Sequence, residues 1–193
     1  MAALTISRQT GSQGDELARQ VAQQLGWQLI QRDLINQAAR AAGIPHVALA
    51  DIDELGLLKL RPSAKEWQAY QTHVEGIIQA WAYRGEAVIV GRGGQMALRG
   101  WPDVFHIRVV APLELRVAHL QQQQNISAES ARARLEASAK ARARYLRRSY
   151  GVAIDDPTLY HLTLNTGLLG LSPAVNLVIQ TVRAWFEVKI QDG

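Results

Sequence analysis

The chain contains no cysteine, so disulfide bridges and thiolate metal sites are excluded, and a reducing compartment fits the composition. It also lacks a long apolar run: its hydrophobic stretches are short and interrupted, well under the ~18 residues a membrane span needs. The opening MAALTISRQT has neither a basic segment nor an apolar core of the secretory kind, and a cytoplasmic protein with no membrane partner is expected. The five histidines (His46, His73, His106, His119, His161) are scattered without a paired metal-ligand spacing, and each reads as structural or exposed. No G-x-S-x-G elbow is present, and Gly91-Arg92-Gly93-Gly94 does not continue into a dinucleotide fingerprint.

What is present is an ordinary globular balance, 48% hydrophobic and 20% charged over 193 residues, enough for one domain spanning 1–193. The net charge of +4 is unevenly placed. Residues 126–151 hold seven basic side chains against two acidic ones, so this stretch carries +5 and the rest −1. A basic cluster on a neutral body points to an anionic ligand at one place, and its plain alternative is a solvated helix face.

Strand and helix signals alternate along the chain. Ala3–Ser7 reads as a strand, Arg8–Gly14 as a tight loop, and Asp15–Leu25 as a helix stopped by Gly26. A short strand at Trp27–Ile30 follows, and Asp33 caps a helix running to Gly43. Ile44–Arg61 reads as loops, and Pro62–Tyr83 as a helix with the apolar stripe Trp67, Tyr70, Val74, Ile77, Ile78 and Trp81, taken as core packing. Glu86–Val90 and Val104–Val110 are strands, with Pro112 opening a helix over Leu113–Gln124. A further helix begins after Ser127 and runs through the arginine cluster. Leu159–Asn165 is a last strand, and Ser172 caps a C-terminal helix with Pro173 at its first position. This alternation predicts an α/β fold with a parallel sheet of about five strands and helices on both faces.

The first strand, glycine loop and helix form an anion-binding arrangement. Backbone N–H groups at a helix start point outward, and Gly11 and Gly14 permit close approach. An ordinary strand-to-helix turn is the alternative. The run Leu4–Ala18 resembles the first strand and loop of the cytidylate kinase-like family, a branch of the P-loop kinases. Leu29–Ile35, Val88–Gly93, Ala139–Arg148, Leu162–Thr166 and Leu171–Pro173 resemble later segments of that family in the same order, so the likeness covers about Leu4–Val182.

The resemblance implies that Arg8, Gly11, Ser12, Gln13, Gly14 and Asp15 hold the phosphates of ATP, and that Mg²⁺ accompanies it. It implies that Asp33, Arg92 and Arg147 meet the acceptor nucleotide, and that Arg142, Arg144 and Arg148 act on the transferred group from a lid at about 127–151. Phosphoryl transfer calls for positioning and positive charge more than for covalent help, which suits arginine. The loop departs from the usual P-loop by having no lysine, and Asp15 and Glu16 stand at the helix start. Three classes of function follow: a (d)CMP kinase-like phosphotransferase, a nucleotide- or anion-binding module without turnover, and an interaction role for the basic segment. Nucleic acid is not the expected partner of a site with a closing cationic lid. The aromatic helices around Trp67–Trp81 and Trp185–Phe186 are candidate faces for a homodimer.

Overall fold

The structure, a computed structural model, describes residues 2–31, 33–36 and 63–191, with side chains described as far as Glu187. Five strands form one wholly parallel sheet: β1 (Ala3–Arg8), β2 (Gln28–Ile30), β3 (Ala87–Val90), β4 (Val104–Val110) and β5 (Leu162–Asn165), in the order β2-β3-β1-β4-β5. β1 lies at the centre, paired Ala3 to Ala87 on one side and Ala3 to Val104 on the other. Because helices cover both faces, the inner strands are apolar almost throughout, and all four residues of β3 are buried.

One face carries α1 (Gly14–Leu25) and the C-terminal helix, α7 (Leu171–Gln191), packed through Leu17, Val21, Val175, Val178 and Val182 onto Leu4, Ile6 and Ile107. The other face carries α2 (Ala64–Arg84), the short α3 (Gly94–Ala97) and the far end of α5 (Ala128–Tyr150). α4 (Leu113–Gln124) packs on the near half of α5 through Val117, Leu120, Ala131 and Leu135. A single turn, α6 (Thr166–Leu169), joins β5 to α7.

Local signals set most boundaries. Gly26 ends α1 in the left-handed conformation, at φ 71. Ser63 and Glu66 form a reciprocal capping box at the start of α2, and Ser127 caps α5 by accepting from the Ser130 N–H.

Three expectations shift. The last strand begins at Leu162 rather than Leu159, because Asp156 accepts from the Thr158 N–H and winds Pro157–Leu159 into a 3₁₀ turn. α7 begins at Leu171 after Gly170, whose carbonyl accepts from Ala174; Ser172 and Pro173 therefore lie inside its first turn. Pro112 precedes α4 as its N-cap rather than opening it. Residues 33–36 are helical as expected; the rest of the helix to Gly43 and the loops over 44–61 fall outside the described residues. Trp185 packs on Phe105 and Phe186 on Trp27, both rings half-buried, while Trp67 packs on Tyr70 and Tyr145. Among the described residues no helix is long and apolar enough to cross a membrane.

Between the two apolar clusters, β1 and β4 also carry buried polar side chains on the α2 face. The Thr5 hydroxyl and His106 Nδ1 are 2.7 Å apart, and His106 is 6% exposed. Burial, aided by the neighbouring His161, pushes the His106 imidazole down from 6.5 to about 4. The unfolded chain therefore binds a proton between these two values that the folded one refuses. Stability from this residue is complete above pH 6.5 and is lost as pH falls towards 4, by about 3 kcal/mol at most. Urea unfolding at pH 7 and pH 4.5 is expected to show this loss, and His106→Gln should flatten the dependence. An unchanged pH profile in the variant would place the titration elsewhere.

Candidate functional site

The loop from Gln9 to Gln13 leaves the carboxyl end of β1, and Gln13 turns it into α1 at φ 59. No side chain caps α1, so its first N–H groups face the loop mouth. The loop is held from several sides. The Ser12 hydroxyl donates to the Gln9 carbonyl at 2.8 Å, and Thr166 donates to the Ser12 carbonyl at 2.7 Å. His119 Nδ1 lies 2.9 Å from the Gly11 carbonyl oxygen, and Thr10 and Ser138 share a hydrogen bond of 2.7 Å. Such tethering fixes the backbone in advance of any ligand.

Arg8 is the centre of the arrangement. Its side chain is only 10% exposed, and its Nε donates to the Asp15 carboxylate at 2.9 Å. A Cβ on Gly14 would come within 2.5 Å of Arg8 Cβ, and one on Gly91 within 2.7 Å of Arg8 Nη1. These two glycines therefore make room for the Arg8 side chain, which runs from the loop to the end of β3. Gly11 has a different duty: its Cβ would meet the Arg116 carbonyl oxygen at 2.7 Å. Glu16 turns away along the helix to Arg19 and Gln20, and the Arg19 guanidinium holds its carboxyl below the ordinary range. Of the two carboxylates at the helix start, only Asp15 faces Arg8.

The other expected residues divide by the helical period of α5. Its inner face presents Ala131, Leu135, Ser138, Tyr145 and Leu146. Arg142 follows on this face and donates through Nη1 to the Arg8 carbonyl oxygen. Arg144 and Arg147 are exposed on the outer side, and Arg148 lies over the Trp67 ring, 4.0 Å from its centroid. The arginine-rich segment is thus one continuous helix, docked on the loop by Ser138 and Arg142 and on α2 by Tyr145 and Arg148.

Arg92 follows β3 in the left-handed conformation, φ 54, unusual for a residue with a side chain. It is 9% exposed, and its Nη2 donates to Asn36 Oδ1 at 3.0 Å. The Tyr145 hydroxyl donates to its carbonyl at 3.2 Å. Tyr70 lies within range of the Arg92 charge, which offsets part of the upward push that burial gives its phenol. The Tyr70 hydroxyl and the Trp67 indole N–H are buried and have no hydrogen-bond partner among the described residues. Asp33 is exposed on the helical turn 33–36, beside Asn36.

Several residues here escape sequence reasoning. Tyr70 and Trp67 belong to an apolar stripe, which conceals the polar ends of their rings. Arg108 sits inside β4 at 5% exposure, donating to Ser7 at 3.0 Å and to Asp155 at 2.5 Å. A charge within an apolar strand is its only sequence signal.

A central β1, a phosphate-type loop running into α1, and an arginine helix laid across the carboxyl ends of the strands define a P-loop kinase fold. Residues 3–168 match the description "Cytidylate kinase-like family", and the chain belongs to that family. It is 24% identical over 178 residues to a cytidylate kinase of Ignicoccus hospitalis, covering 92% of this chain and 97% of that one. Among solved structures, an uncharacterized protein from Eubacterium ventriosum superposes with a TM-score of 0.77 at 16% identity, covering 95% of this chain and 99% of the other. Shikimate kinase from Acinetobacter baumannii gives 0.55 at 14% identity, covering 95% and 94%. These structures share the fold.

Proposed function

We propose that the protein transfers the terminal phosphoryl group of ATP to a nucleoside monophosphate, with cytidylate or deoxycytidylate as the acceptor. The observation that carries this is a set of buried donors: the Arg92 guanidinium, oriented by Asn36, the Tyr70 hydroxyl within range of its charge, and the Trp67 indole N–H packed beside Tyr70 and Tyr145. The Tyr70 and Trp67 donors have no partner among the described residues, and a phosphate monoester, rich in acceptor oxygens, would supply one.

On the donor side, the open N–H groups of α1 and the Arg8 guanidinium suit the β- and γ-phosphates. Arg8 supplies the positive charge for which the loop has no lysine. Beside the loop, Leu115, Leu168 and Leu169 are 40%, 82% and 42% exposed, an apolar rim suited to the donor base. Mg²⁺ takes most of its ligands from phosphate and water, and Asp15, at the start of α1 beside the loop, is the residue that would hold it. When bound, Mg²⁺ neutralises phosphate charge. The protein's own part is to place Arg8 between donor and acceptor, to keep the Arg92 cage shut to water, and to set Arg142 against the loop.

Tyr70→Phe separates a binding role from a structural one. Removing a buried hydroxyl that has no partner among the described residues should leave stability unchanged or raise it by up to about 1 kcal/mol. The same change should weaken CMP binding about tenfold by calorimetry, with ATP binding unaffected. Unaltered CMP affinity would remove Tyr70 from the acceptor site. In the wild-type protein, CMP and dCMP should bind at least about 100-fold more tightly than cytidine; equal affinities would contradict a phosphate cage.

A further inference from the structure

At the amino ends of β4 and β5, opposite the phosphate loop, lies a cavity of about 330 Å³. Its walls include the rings of Trp101, Tyr160, His161 and Trp185, and its polar groups include Gln95 and Arg99. None of the residues lining it is a carboxylate. The nearby Asp156 accepts from the Thr158 N–H and hydroxyl at 2.9 and 2.7 Å; these bonds, and to a lesser degree the Arg99 charge, hold its carboxyl below the ordinary range. This volume is at the lower end of that of small-molecule sites, which combine flat apolar walls with a few polar groups.

The two imidazoles do not make this a metal site. His106 Nδ1 bonds Thr5, and its ring also reaches the Leu98 backbone. His161 Nδ1 accepts the His106 backbone N–H at 2.8 Å, which places the proton of the neutral ring on Nε2. Both rings are fixed in place: His161 stacks on Phe105 at 4.9 Å and on His106 at 5.1 Å, and lies 5.0 Å from Trp185. Gln95 is 4% exposed, and its amide N–H reaches Tyr160 only at 3.4 Å, a long bond that a better acceptor would replace. Arg99, exposed at the rim, provides the formal positive charge.

We infer that this cavity is a second binding site, for a small planar aromatic anion. The flat ring lies among the indole, phenol and imidazole faces, and its carboxylate or equivalent group meets Arg99 and the Gln95 amide. Nothing in this assignment depends on the reaction at the other end of the sheet.

The probe is 2-naphthoate, titrated into the full-length, ¹⁵N-labelled protein without nucleotide. The chain has five tryptophans, so the indole N–H signals serve as a map. Trp101 and Trp185 are expected to shift saturably while Trp27, Trp67 and Trp81 stay in place. Arg99→Gln, a surface change that leaves the fold intact, should weaken the probe by roughly 10- to 100-fold, as should its replacement by neutral 2-naphthamide. Three results overturn the inference: no saturable shift at millimolar probe, shifts spread over all five indoles, or equal binding to wild type and Arg99→Gln. CMP and ATP binding measured on Arg99→Gln should match wild type, which keeps a failure here distinct from a failure of the kinase assignment.

Discussion

Arg8→Ala should lower the turnover number for phosphoryl transfer about a thousandfold while leaving the protein folded. A cation fixed at the transferring group contributes on the order of 10³ or more in rate when its removal leaves developing charge unmatched. Arg8 is suited to that place by its burial, its span from the loop to Gly91, and the two glycines that admit it. Stability should fall only modestly: the pair with Asp15, which is 56% exposed, is worth under about 1 kcal/mol, and truncating a side chain that is 10% exposed adds the lost packing of its stem. Arg8→Lys restores charge but not the fork that spans both sides, so it should recover only part of the rate. Unchanged turnover in Arg8→Ala would show that the loop works without this cation. A loss matched by unfolding in circular dichroism would assign Arg8 a structural duty alone.

Arg92→Ala should act on the other substrate. Its guanidinium, oriented by Asn36 at 3.0 Å, acts electrostatically on the Tyr70 phenol. Losing charge-assisted bonds to a phosphate of about 1.5–3 kcal/mol corresponds to roughly 10- to 100-fold weaker CMP binding. ATP affinity should stay within about twofold, since in the proposed arrangement the loop and Arg8 hold the donor. Equal losses for both nucleotides would argue against an acceptor role and for a general collapse of the pocket. The variant also removes a side chain from a left-handed position, where glycine or asparagine is better tolerated than alanine; Arg92→Gly therefore serves as a second variant.

Much of the architecture was legible because period and punctuation are local properties. The β4 and α4 bounds follow from apolar runs bracketed by proline and glutamine, and Gly26 stops α1 where a left-handed cap is needed. The turn from β1 into α1 was legible as a strand, two glycines and a helix. The errors have local causes too: Leu159, which closes the 3₁₀ turn, extends an apparent strand, and Ser172-Pro173 imitates a helix start two residues inside the real one.

The site itself depends on tertiary placement. Gly14 and Gly91 are 77 residues apart in sequence, and only the pairing of β1 with β3 brings both against Arg8. Ser138 and Arg142 look like part of a solvated basic helix until the helix is laid on the loop. Arg108 contradicts its own strand pattern and is explained only by Ser7 and Asp155 around it.

The most direct test is a ³¹P NMR spectrum of the protein with ATP, Mg²⁺ and CMP. The account predicts loss of the ATP γ-signal with matched growth of ADP and CDP, and no CDP with Arg8→Ala. CMP and ATP that bind but remain unchanged over hours would contradict phosphoryl transfer and make the chain a nucleotide-binding member of its family.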